Sequence, residues 1–315
     1  MSEVIITRHG EGKLSTKTYF ADEFGFSVAS VIIMGQKECV LIDTQWVKSH
    51  AHRLIAEIID TGLELKAAFA THLHPDHYWG LGEIEKAFPN AKCYMLPEEV
   101  PLYADQYQPK LDDWIDVVGE GNLLRRQCEN LLPLTDKYIE LEGERIEVIE
   151  HIMGDLKWNS VVWVPSIKTL IGSDVIFNEA HPFTCEVSAE QRLQWIADLE
   201  RLDRELKPEV VIPGHQKKGC LLDRSGIKYT IDYLKATEEE LKKIEGMEPE
   251  IGTAVFFYAM EKRFPNNAIS MYSNNMNAKV FSGEVCKNLL DKIVVRGGSE
   301  YDVYLKGIAS ITSVV

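Results

Sequence analysis

The sequence predicts an α+β protein: strands first, then strands alternating with helices, then a helical C-terminal region. Three observations predict it. The short apolar runs "ASVIIMG" and "ECVLIDT", joined by "QK", read as paired strands. "LKAAFATH" and "AKCYMLP" are further strands set between helical segments. A second series of strand-like runs, "YIELEGERIEVIEH", "SVVWVPS" and "KTLIGSD", precedes a long amphipathic helix.

In order along the chain, "SHAHRLIAEIIDTG" places Leu54, Ile55, Ile58 and Ile59 on one helical face, with Ser49 as the expected cap and Gly62 as the end. "GLGEIEKAF" reads as a helix. The segment from 100 to 135 carries Tyr103, Tyr107 and Trp114 amid charges. It reads either as a helical excursion over a site or as two surface helices with aromatic anchors. "YIELEGERIEVIEH" alternates as a hairpin turning at "EGE". In "SAEQRLQWIADLERLDRELKP", Ser188 and Gln191 make a capping box, Leu193, Ile196, Leu199, Leu202 and Leu206 form the stripe, and Pro208 stops the helix. "EVVIPGH" is a strand ending at His215, and "GIKYTIDYLKATEEELKKIEG" is another amphipathic helix. Beyond residue 250 the pattern is helical and then weak, and "TAVFFYAM" is read as core or as a homo-oligomer interface.

Composition narrows the functional classes. The net charge is −15, from 49 Asp and Glu against 34 Lys and Arg. Such a field repels phosphate backbones and disfavours nucleic-acid partners. No run approaches the ~18 apolar residues of a membrane span. The N-terminus has no basic segment followed by a long apolar one, so no secretory signal is read. The six cysteines stand singly, the pattern of reduced thiols in a cytoplasmic protein. A small-molecule substrate is the expected partner.

"ATHLHPDHYWG" concentrates potential ligands: His72, His74, Asp76 and His77 lie within six positions of a chain that has nine histidines. Along an extended strand end, alternate side chains point the same way, so His72 and His74 are presented together. Pro75 cannot donate to a strand ladder and breaks it. Asp76 and His77 follow in a tight turn and can reach a second point. Two imidazoles thus serve one metal, and a carboxylate and an imidazole begin another. Imidazole and carboxylate are the usual ligands of Zn²⁺ and related divalent ions.

"HLHPDH" resembles the HxHxDH signature of the metallo-β-lactamase superfamily. "VLIDT", "IGSD" ending at Asp174 and "IPGH" ending at His215 resemble further motifs of that family in the same order, from about residue 25 to 220. The resemblance implies an αββα four-layer sandwich with a two-metal site along one edge of its sheets. It implies residues 1–250 as the metallo-β-lactamase-like domain and 251–315 as a C-terminal extension packed on it. Asp174 would bridge the metals and His215 would complete the second site. The third ligand of the first metal is a histidine in the family, whereas this chain has "HIMGDLKWNS". Alignment on His151 and Gly154 puts Asp155 at that position, with His151 as the alternative. Ser173 replaces the family's glycine, which is tolerable if φ there stays below zero. The resemblance further implies a hydroxide generated at a dinuclear site that cleaves an ester, lactone, thioester or amide, with Zn²⁺ expected and Mn²⁺ or Fe²⁺ as alternatives. Asp76 would ligate and orient the nucleophile. His181, in the loop after Asp174, is read as a substrate contact or proton donor, or as a histidine ordering its own loop. Asp43 is a candidate acceptor for a ligand histidine N–H.

The ending "MEKRFPNNAISMYSN" and the "GD" pair are similar to features of the "variable metal-dependent hydrolase" branch, and residues 282–315 fit no pattern. Exported penicillin-hydrolysing members carry a signal that this N-terminus lacks, so a different substrate is expected. Two rivals stand beside the hydrolase: a mononuclear iron dioxygenase, which Asp155 would suit by giving a 2-His-1-carboxylate set, and a degenerate metal-binding protein. "IITRHGEG" also resembles the RHG signature of histidine phosphatases through His9. No second histidine and arginine set fits that family's spacing, and a structural turn at Gly10 and Gly12 accounts for the stretch.

Overall fold

The computed structural model describes residues 2–10 and 13–285. Cys286 and the rest of the C-terminal stretch, including most of residues 282–315, lie outside the described residues. Two sheets face each other, each covered by helices. The first has seven strands in sequence order: β1 (Glu3–Arg8), β2 (Ser15–Phe20), β3 (Ala29–Met34), β4 (Glu38–Ile42), β5 (Glu64–Phe69), β6 (Lys92–Met95) and β7 (Leu131–Pro133). β1 to β4 pair antiparallel and β4 to β7 parallel. The second sheet follows the order β12 (Val210–Gln216), β11 (Thr169–Asn178), β10 (Asn159–Val164), β9 (Glu144–Ile152) and β8 (Tyr138–Leu141). β11 and β12 are parallel and the remaining pairs antiparallel.

Strand alternation builds the layers. Val31, Ile33, Val40, Ile42 and Phe69 of the first sheet meet Ile139, Val162, Ile171 and Ile212 of the second in one buried cluster. The residues between them point outward, away from the opposing sheet. Ile32, Leu41 and Ala68 pack on α1 (Lys48–Ile59) and α3 (Leu81–Ala87), through Leu54, Ile58, Leu81 and Ile84. Val161, Trp163, Leu170 and Val211 pack on α5 (Ala189–Leu206) through Trp195, Leu199 and Leu202. The order helix, sheet, sheet, helix is the αββα sandwich expected from the sequence. α6 (Ser225–Ile244), α7 (Pro249–Arg263) and α8 (Asn275–Val285) add helices to it, and Tyr233, Phe256, Met260 and Phe281 join the cluster that holds Trp46 and Leu54. Each CH₂ removed from water in such clusters contributes about 0.8 kcal/mol.

Several local expectations are corrected. Ser49 lies inside α1 and the cap position is Val47, with no side-chain cap. Ile59 is 61% exposed; the buried face is His50, Ala51, Leu54 and Ile58. Of the two readings of segment 100–135, the pair of surface helices is set aside: the segment holds one α-helix, α4 (Val100–Val118), followed by a 3-10 turn, and α4 carries Pro109 internally and buries Tyr103, Tyr107 and Trp114, the last of them lining a cleft. On α5 the Ser188–Gln191 capping box forms as expected, but Leu193 is exposed and Trp195 takes the inward place, its Nε1 donating to the Val175 carbonyl at 2.8 Å. Within "TAVFFYAM", Phe256 and Met260 are core while Tyr258 is exposed. Among the described residues five cysteines are free thiols, four of them buried. No helix there is long and apolar enough to cross a membrane.

Candidate metal centre

The ends of β4, β5, β11 and β12 meet at one edge of the sandwich. β5 ends at Phe69, and Thr71 to His74 continue from it. Pro75 opens the short helix α2 (Pro75–Tyr78), as its fixed φ and missing N–H favour. The turn expected at Asp76 and His77 is therefore one helical turn. Asp174 lies within β11, where the pairing with β12 shifts register on either side of Ser173. Ser173 has φ +42°, against the expectation of a negative value. Its hydroxyl explains why a side chain is kept there. Ser173 Oγ lies 2.9 Å from Asp43 Oδ2 and 2.6 Å from Thr71 Oγ1. Gly214 is required by close approach, because a Cβ there would lie 2.3 Å from Asp174 Oδ1 and 2.4 Å from the Ser173 carbonyl carbon.

The seven sequence-derived ligands converge. His72, His74, Asp155 and Asp174 form one group and Asp76, His77 and His215 another, with ligand atoms within 4.8 Å of each other in each group. All seven are buried, at most 8% exposed. His74 Nδ1 is 2.8 Å from Asp155 Oδ2, and His72 Nε2 is 3.9 Å from both Asp155 Oδ1 and Asp174 Oδ2. Asp174 faces both groups: Oδ1 is 3.1 Å from His77 Nε2, and Oδ2 is 3.2 Å from His215 Nε2. Asp76 Oδ2 is 3.5 Å from His77 Nε2 and 3.4 Å from His215 Nε2.

The outer partners set the tautomers. His215 Nδ1 is 2.7 Å from the Phe26 carbonyl, which can only accept, so Nδ1 carries hydrogen and Nε2 turns its lone pair inward. His77 Nδ1 faces Asp43 Oδ2 at 2.9 Å, with the same result. His72 Nδ1 is 3.1 Å from Thr71 Oγ1. His74 is reversed: its Nε2 faces Glu186 at 3.4 Å and its Nδ1 faces inward. Asp43, itself at φ +58°, also accepts from Thr71 N at 2.8 Å, and its bond from Ser173 Oγ at 2.9 Å ties the two sheets together behind these groups.

Without cations these groups balance one another. Burial and neighbouring His77 hold His72 well below its ordinary pKa. Burial also opposes charge on His74, but Asp155 outweighs it and raises His74 to about 10. His77 rises in the same way beside Asp174 and Asp76, and His215 beside Asp174. Asp174 is held well below the carboxylate range because His215 and His77 outweigh burial. Burial raises Asp155. Three buried carboxylates thus demand positive charge, and divalent cations would displace the imidazolium protons that otherwise supply it. His72 Nε2 has no hydrogen-bond partner, and the close contacts of His77 Nε2, Asp155 Oδ2 and Asp174 Oδ1 within the two groups lack hydrogen-bond geometry. Buried polar atoms are ordinarily paired. The orphaned atoms and the mixed imidazole–carboxylate donor set fit divalent metal ions.

Other sequence-derived residues lie elsewhere. His151 is exposed, bonds Glu98 and belongs to neither group, whereas Asp155 stands against His74. His181 is fully buried and does not line the cleft over the ligands; Nδ1 is 2.9 Å from Tyr233 Oη and Nε2 is 3.2 Å from Glu261. This is the loop-ordering role. His9 lies just after β1, an edge strand, and in neither group. Sequence reasoning missed Glu186, the Phe26 carbonyl and the Thr71 hydroxyl. Glu186 is 112 residues from His74 and Phe26 is 189 from His215, and no spacing signal links them.

The family model of the metallo-beta-lactamase superfamily matches residues 23–215. A curated "Metallo-beta-lactamase type 2" of Pseudomonas aeruginosa is 23% identical over 230 residues, 72% of this chain and 82% of its own length. Among solved structures, a metallo-beta-lactamase from Pontibacter korlensis has a TM-score of 0.56 at 21% identity, covering 74% of this chain and 99% of its own. One from Hirschia baltica has a TM-score of 0.52 at 19% identity, covering 73% and 97%. These structural likenesses concern the fold.

Proposed function

The chain belongs to the metallo-beta-lactamase superfamily, and from that premise we propose that it is a metal-dependent hydrolase of a small ester, lactone, thioester or amide. The observation that carries the proposal is the pair of buried donor groups with their orphaned nitrogens and oxygens. His72, His74 and Asp155 would hold one divalent cation; Asp76, His77 and His215 would hold a second; Asp174 would serve both. Zn²⁺ is the proposed ion, with Mn²⁺ or Fe²⁺ as alternatives. When bound, such ions supply a hydroxide at neutral pH and polarise the scissile carbonyl.

The chain's own residues do the rest. Asp76 faces the cleft and would accept a hydrogen from the attacking water, aiming its lone pair at the carbonyl carbon. Asp43 and the Phe26 carbonyl hold the His77 and His215 rings so that Nε2 presents a lone pair. Trp114 of α4, with Phe26 and Tyr272, walls the cleft and limits water there. Cytoplasmic placement is kept as part of the proposal because the described cysteines are free thiols.

Protein stripped of metal and reloaded with Zn²⁺, Mn²⁺ or Fe²⁺ is assayed on an ester, lactone and thioester panel. Turnover that a chelator abolishes and Asp76→Ala lowers at least about 100-fold, the scale on which loss of a general base costs, is the expected result. Metal uptake without turnover of any member would refute the hydrolase. His72, His74 and Asp155 are also a 2-His-1-carboxylate set, the donor set of non-haem iron oxygenases. Oxygen uptake by the iron-loaded protein would favour that second reading. The complete second group argues for the first.

A further inference from the structure

Beyond the candidate ligands, the cleft is walled by Phe26, Trp114, Phe177, Phe183, Ile269 and Tyr272. Phe177 stacks on the His215 ring at 5.2 Å and 10°. Phe183 stands edge-on to His74 at 6.2 Å. Phe26 meets Tyr272 at 4.8 Å and Trp114 at 5.8 Å. Among the described residues lining the cleft, Glu186 alone is charged outside the ligand set, and none is Lys or Arg. Lys110 is buried, does not line the cleft, and donates to the Leu73 carbonyl behind the ligands.

We propose that this site takes a substrate whose non-reacting group is apolar and uncharged, aryl or alkyl, and that it discriminates against substrates carrying a second, anionic group. The proposal rests on the hydrolase reading and specifies its substrate class. Two physical arguments carry it. First, the aromatic wall removes apolar surface from water at about 25 cal/mol per Å², and its described residues offer a remote carboxylate no cationic partner, so that group would be desolvated without compensation. Second, the cleft's own carboxylates match the charge that two divalent cations would bring. Asp76, Asp155, Asp174 and Glu186 set four negative charges against the four positive charges of two divalent cations, and Glu186 stands 3.4 Å from His74 at the rim. The nearby cation Lys110 is buried behind the ligands and bonded to the Leu73 carbonyl, so among the described residues an incoming anion meets no positive side chain in the cleft.

The test uses the metal-loaded full chain and three p-nitrophenyl esters of similar length: octanoate, the monoester of an α,ω-dicarboxylic acid, and an ω-trimethylammonium acyl ester. Octanoate is expected to exceed the dicarboxylate monoester in kcat/KM by at least 10-fold. Glu186→Gln is expected to narrow that ratio several-fold, and Phe183→Ala to reduce octanoate turnover mainly through KM. An anionic ester equal to or better than octanoate overturns the proposal. So does a trimethylammonium ester preferred over octanoate by 10-fold, which would make the wall a cation box. If no ester is cleaved, the ester branch of the hydrolase reading fails, and the substrate-class claim is decided by calorimetry with octanohydroxamate and its ω-carboxylate analogue, which share a metal-binding head. Tenfold tighter binding of the neutral ligand supports the claim, and equal affinities overturn it.

Discussion

Asp43→Asn isolates the clamp behind the ligands. The wild-type carboxylate accepts from Thr71 N at Oδ1, and from Thr71 Oγ1, Ser173 Oγ and His77 Nδ1 at Oδ2. In the variant the carbamoyl oxygen can still accept from Thr71 N. The NH₂ group then replaces Oδ2. The two hydroxyls can rotate and become acceptors. His77 Nδ1–H cannot, so the ring must change tautomer to regain a hydrogen bond. That change moves the hydrogen to Nε2, the atom 3.1 Å from Asp174 Oδ1, and removes the lone pair a metal requires. Loss of such an outer partner costs about 10–100-fold in metal affinity, or about 1.4–2.7 kcal/mol. Chelator competition with Zn²⁺ measures the affinity, and a far-ultraviolet spectrum in chelator confirms the fold. Wild-type affinity, within twofold, in a folded variant would refute the tautomer argument.

Other perturbations follow from the same geometry. Gly214→Ala places a methyl against Asp174 and the Ser173 backbone, so metal binding and turnover are expected to fall together; a variant with wild-type metal content would contradict the close-packing claim. Glu99 is buried, and burial with Glu98 beside it raises its pKa to about 9. Its raised folded pKa means the stabilising protonated form is complete below the unfolded value and is lost as pH rises through about 9, at up to about 1.4 kcal/mol per unit. Glu99→Gln is therefore expected to gain stability over the wild type as pH rises from 6 to 8 in urea melts, and a pH-independent difference would refute this. Ser188→Ala removes the α5 capping box and is expected to cost about 1 kcal/mol in the same melts; no loss would show that the cap contributes nothing.

Legibility followed the range of the interactions. His72, His74, Asp76 and His77 could be read because strand-end alternation places neighbours in sequence around one point. Asp155 could be placed only by setting His151 and Gly154 on the family motif, and Asp174 and His215 by the likeness of "IGSD" and "IPGH" to family motifs; both lie inside strands, β11 and β12. β1 and β2 were harder to see: Thr16 and Thr18 occupy buried positions of β2, so the strand lacks the apolar alternation that marks its neighbours. The choice between one excursion and two surface helices over 100–135 could not be made locally: α4 carries Pro109 internally, and buried Tyr103, Tyr107 and Trp114 anchor it as one helix. Ser173 in place of glycine was read as tolerable only at negative φ; the hydroxyl bonds that accompany its positive φ go to Asp43 and Thr71, over 100 residues away, and leave no local signal. The cleft wall is of the same kind. Phe26, Trp114, Phe183 and Tyr272 come from four separate segments, and no local pattern unites them.

Elemental analysis of protein purified without chelators tests the central claim most directly, with Asp155→Ala and His151→Ala beside the wild type. The account predicts two equivalents of divalent metal in the wild type, loss of one in Asp155→Ala, and no loss in His151→Ala. A metal-free wild type that also fails to bind added Zn²⁺ or Mn²⁺, or loss confined to His151→Ala, would contradict it.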